Sequence, residues 1–214
     1  MKATTVLAGV GGITFGVLAL IATVVANSPG GNYTASNATS FVASGHRSAV
    51  YVSLYLVTIA VLGLICLLAR LREMVSVGAD EQPVALSIFW GTGLAAAVCW
   101  AAGWAVALSV PIAYAVGGDG FSIGPAQTYA IVEAGLAILF GPGSILLGIA
   151  LIALFLGGRA TLPAWLRWVT LIAGILGLAS PAFFPWFALL IWGVVIGVWL
   201  LASGRGSASS PVSA

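Results

Sequence analysis

Glu133 is where any membrane chemistry in this chain would begin, because it is the one ionisable side chain clearly inside an apolar run. It sits roughly 8 Å in from the start of that run, at 1.5 Å per residue. An ionised carboxylate at mid-membrane costs about 3 kcal/mol on insertion scales, and less toward the edge. Glu133 must therefore face other helices and find a partner, or stay protonated. His46, Arg47 and Asp119 are the candidate partners, since the topology derived below places all three on its side of the membrane. Two readings follow. In one, Glu133 carries a proton or anchors a ligand in a polar pocket open to the outside. In the other, a Glu133–Arg47 pair locks two helices together.

Aromatic residues are spaced to line such a pocket. Tyr51 and Tyr55 stand at i and i+4 and share a helix face, as do Trp100 and Trp104, while Tyr129 lies one turn before Glu133. An interfacial aromatic belt with ordinary packing would use the same residues. Gly141-Pro142-Gly143 interrupts the run that holds Glu133, and proline withholds a backbone donor there. Such breaks occur at transporter binding sites as well as at packing kinks. Gly12-x-x-x-Gly16 and Gly193-x-x-x-Gly197 permit close helix approach, within one protomer or between two.

Several other chemistries lack their residues. A single histidine leaves no bis-histidine haem, and Met74 falls on the opposite side from His46. The one lysine is Lys2, so no buried Schiff base is available. There is no phosphate-binding lysine loop, no metal-ligand cluster and no Ser-His-Asp set. Cys66 and Cys99 lie far apart in apolar runs and fit buried small hydrophobes. No internal repeat is visible, which argues against an inverted-repeat transporter. The net charge of +2 is scattered and does not suggest nucleic acid. No metal or cofactor is expected.

What must position these residues is a bundle in lipid. The chain is 61% hydrophobic and 6% charged with mean hydropathy +1.17, whereas soluble domains carry roughly 25% charged residues. Residues 1–202 read as one all-α transmembrane bundle of about six helices, near 4–26, 48–69, 84–114, 127–156, 165–180 and 185–202. Pro111 bends or tilts the long third run. The first run is too long for a secretory signal core and is expected to be retained. Residues 27–47 form the longest polar connection, and the Ser/Gly/Ala-rich tail 203–214 is expected to be disordered. With the N-terminus inside, Lys2, Arg70, Arg72, Arg159, Arg167 and Arg205 fall on the cytoplasmic side and only Arg47 outside. The chain is then N-in and C-in. Trp165 and Trp168 mark the inner boundary, and Phe183, Phe184 and Trp186 the outer one.

The polar loop after the first run and Ser48-Ala-Val-Tyr-Val-Ser-Leu-Tyr-Leu56 opening the second form part of a wider pattern. Leu162-Pro-Ala-Trp-Leu-Arg-Trp168 before the fifth and a closing tight hairpin complete it. This order resembles a group of small actinobacterial six-helix integral membrane proteins of unknown function. The resemblance implies the bundle fold and carries no activity or site residues with it. Six arginines against one lysine, with abundant Ala, Gly and Val, hint at a GC-rich bacterial genome, and a bacterial plasma membrane is expected. The sequence favours a non-catalytic partner or assembly component, with a homo-oligomer or larger complex as its setting. The alternative is an outward-facing carrier or enzyme for lipids or small molecules, with Glu133 as the candidate acid.

Overall fold

The computed structural model describes residues 3–29, 33–76, 83–117, 121–182 and 184–206. Among these the fold is all-α, with no strand. The helices are α1 (Ala3–Ala26), α2 (Ala35–Val42), α3 (Arg47–Ser76), α4 (Pro83–Ala107) and α5 (Ser109–Gly117). They continue with α6 (Pro125–Ile138), α7 (Ser144–Gly157), α8 (Ala164–Leu178) and α9 (Phe187–Gly206). Five helical stretches, 3–26, 44–76, 84–107, 125–157 and 184–203, are long and apolar enough to cross a bilayer. The chain is a multi-pass membrane protein. The sixth apolar helix, α8, has 15 residues and reaches only about 22 Å, short of a hydrocarbon core of about 30 Å.

Each proline in the long runs leaves a local mark. α4 ends four residues before Pro111, at Ala107, whose carbonyl the missing N–H would have bonded. Between α6 and α7 the backbone widens into a π turn over Leu139–Gly143, with Gly141 at φ −75°, ψ −107°. The Leu139 carbonyl accepts from the Ser144 amide across this wider turn and also from the Ser144 hydroxyl at 3.0 Å. The helical stretch bends at this turn and continues.

Small residues set how the helices meet. A Cβ at Gly11 would lie 2.6 Å from the Gly63 carbonyl oxygen, so α1 and α3 touch backbone to backbone. Gly12 meets Gly193 and Gly197 in the same way, which joins α1 to α9. Gly148 packs on Gly174 and Gly177, joining α7 to α8. Both glycine-spaced pairs noted in the sequence therefore work within one chain. Without a hydrophobic drive between helices in lipid, such close packing is what holds them together.

These contacts also fix relative depth. α1 and α3 run antiparallel, bringing the start of α1 level with Leu71, and Arg70, Arg72, Arg159 and Arg167 collect at that end. There Arg70 pairs with Glu73 at 2.7 Å, Arg72 lies over Trp90 at 5.0 Å and Arg167 over Phe155 at 4.9 Å. At the opposite, loop end the elements stop at different heights. Gly16 touches Leu190 and Val194, so α9 begins level with about residue 19 of α1. α1 runs on for two more turns, about 10 Å. The α8–α9 hairpin is a step below its neighbours.

Candidate functional site

Glu133 stands near the loop end of α6, about 36 Å along the helical stretch from Gly157. That length exceeds a hydrocarbon core of about 30 Å, so Glu133 belongs to the loop end of the stretch. Its partner is the loop. The Tyr33 hydroxyl donates to Glu133 Oε1 at 3.2 Å, and the Tyr129 hydroxyl, one turn earlier on α6, donates to the Thr34 carbonyl at 2.8 Å. The Tyr33 and Tyr129 rings meet edge to face, with centroids 5.0 Å apart. Thr34 then caps α2 by accepting from the Asn37 amide at 3.4 Å. Glu133 and Tyr129 thus clasp the residues that start α2, a short helix within what the sequence pattern reads as polar loop.

The Glu133 carboxylate holds the Tyr33 phenol above the usual tyrosine range, first by repelling the phenolate and second by accepting from the neutral hydroxyl. Glu133→Gln should therefore lower the Tyr33 value toward that of an ordinary tyrosine while leaving the helices folded. Ultraviolet titration of wild type and Glu133→Gln, each against Tyr33→Phe, isolates the transition. An unchanged Tyr33 midpoint would remove the clasp.

The other expected site residues divide. Among the described residues the ion pair is Arg70–Glu73, and Glu133 is not paired with Arg47, whose Nε is buried without an acceptor. His46 Nε2 donates to the Ala26 carbonyl at 2.8 Å and tethers the end of α1, with its ring beside Phe41. Tyr51 and Tyr55 do share a face, but it looks outward; Tyr55 is 71% exposed. Asp119 lies outside the described residues. Trp104 lines a cavity.

That cavity, about 360 Å³, sits on the step above the α8–α9 hairpin. Thr23, Val24, Asn27 and Ser28 from the end of α1 form one wall. Trp104, Leu136 and Leu139 form the facing wall, and Phe140 and Trp186 complete it toward the hairpin. Its size falls within the range of small-molecule sites, roughly 300–1,000 Å³. Asn27 turns the chain away from α1 at φ 39°, a left-handed conformation asparagine tolerates. Trp186 is buried against its neighbours, with ring centroids 5.5 Å from Phe140 and 5.9 Å from Trp100.

The indoles here carry unmet hydrogen bonds. Nε1 of Trp100, Trp104 and Trp186 is buried and has no acceptor among the described residues. Trp192, also buried, donates to the Thr170 hydroxyl at 3.1 Å. Three orphan donors in one cluster are costly, at about 1–3 kcal/mol each when no partner arrives. The sequence carried two signals for this site, the Gly-Pro-Gly interruption and Trp104. It carried none for Leu136. Comparison of this chain with protein-family models, curated proteins and solved structures finds no match.

Proposed function

We propose that this chain is a non-catalytic protein of a bacterial plasma membrane, crossing six times with both ends in the cytoplasm, that receives an apolar or lipid-class molecule in its outward-facing cavity. The observation that carries the reading is an apolar cavity of about 360 Å³, walled by aromatic and aliphatic side chains and edged by Asn27 and Ser28. The orientation is supported by the gathering of arginines at one end, and the resemblance to small actinobacterial six-helix proteins favours the same topology. Glu133 is engaged by Tyr33 and does not line the cavity, so the reading places no acid catalysis there.

Leu136→Trp tests this by filling the cavity from within. Lipid retained per protein after detergent extraction, read by native mass spectrometry, should fall about tenfold or more, since even one methylene's space is worth roughly tenfold in an apolar pocket. Retention equal to wild type in a variant of unchanged melting temperature would sink the reading.

A further inference from the structure

We infer that the cavity holds an ester lipid of the loop-end leaflet, gripped at its glycerol-ester region, with an ester carbonyl accepting from the indole N–H of Trp104 or Trp186. The inference rests on the cavity being a ligand site and names the ligand's class.

Depth is the first argument. From Ser203 to the start of α9 at Phe187 is about 24 Å, so the hairpin turn and Trp186 come close to the outer limit of a core about 30 Å thick. The space above Trp186 therefore spans the last methylenes and the ester layer of that leaflet. Indoles favour this zone because one edge is apolar and the other donates a hydrogen bond.

Access is the second. Val24 lines the cavity and is 71% exposed, which places the mouth on the flank of α1, beside the acyl chains. The hairpin stops below this level and leaves that flank open. A bilayer lipid can slide in sideways without leaving its leaflet.

Donor chemistry is the third. Trp104 and Trp186 both line the cavity and both keep Nε1 shielded without an acceptor. Neither Nε1 faces the open cavity, so one of the two rings must rotate on binding before its donor meets a carbonyl. The lining offers no cationic side chain for a phosphate. The selectivity should therefore be for the ester carbonyl and not for headgroup charge.

The test compares a diacyl phosphatidylcholine with its diether analogue, identical except that the carbonyls are gone. The full chain is reconstituted in nanodiscs of each, extracted, and weighed by native mass spectrometry. The ester lipid should be retained about five- to tenfold over the diether, one hydrogen bond's worth of preference. The ratio should fall toward one in Trp104→Phe combined with Trp186→Phe. Equal retention of both lipids by wild type, with both lost in Leu136→Trp, overturns the ester inference and leaves the cavity reading standing. No retained lipid, or retention indifferent to Leu136→Trp, overturns both. Should the double variant fail to fold, the wild-type ratio alone decides.

Discussion

Gly63→Leu is expected to prevent accumulation of folded protein, whereas Gly91→Leu leaves it intact. A Cβ at Gly63 would stand 2.5 Å from the Gly11 carbonyl oxygen and 3.2 Å from the Gly11 Cα. Those neighbours are backbone, which cannot rotate aside as a side chain can. The two helices would have to separate, and α1 cannot move alone. Its opposite face is fixed to α9 through Gly12 and Gly16, and its end is held by His46. Overpacking usually costs about 1–3 kcal/mol and more where nothing yields, so this site belongs at the upper end or above. Gly91 lies on α4 with open space around its Cβ position, and Leu there gains helix propensity. The measurement is the melting temperature and monodisperse yield of each variant in the same detergent. Equal behaviour of the two would show that α1 and α3 do not meet at these glycines.

The same pair shows how far the sequence could be read. Six apolar runs and their polar breaks were legible because lipid demands length and hydrophobicity, and both are visible residue by residue. Pro111 and Gly141-Pro142-Gly143 marked real interruptions, because a missing N–H acts locally. Which face of each helix is buried was not legible. In water an apolar stripe marks the core, but here both the lipid face and the core face are apolar, and the 3.6-residue signal fades. Tyr51 and Tyr55 illustrate this: their shared face was evident, its outward direction was not. Register was hidden for a related reason. Only the glycine contacts show that α9 begins two turns below the end of α1, and the cavity exists because of that offset. Glu133 was visible as the charge inside an apolar run, but its partner was not. Its partner Tyr33 lies a hundred residues away in a loop with no pattern to announce it.

Trp186→Ala should be the most damaging single truncation at the cavity, and the comparison with Trp186→Phe separates packing from hydrogen bonding. Trp186 is 1% exposed and packs against Trp100, Phe140 and Phe187, the last at 4.5 Å between centroids. Truncating a buried aromatic costs about 3–5 kcal/mol in a well-packed core. Lipid offers helices no compensating hydrophobic drive, so the packing removed beneath the cavity is not recovered elsewhere in the chain. Phe184, two residues earlier and 76% exposed, should tolerate alanine far better. Trp186→Phe keeps a ring against Phe140 and discards a donor that has no acceptor among the described residues. Its cost in lipid-free detergent should stay within about 1.5 kcal/mol, because removing an unmet donor offsets part of the poorer fit of the smaller ring. Adding back the ester lipid should then stabilise wild type more than Trp186→Phe, since only wild type keeps this donor for the carbonyl. Thermal unfolding with and without the lipid reads both effects. If Trp186→Phe were as harmful as Trp186→Ala without lipid, the indole N–H would already be satisfied inside the protein, and Trp186 would be a structural floor with no part in holding a ligand.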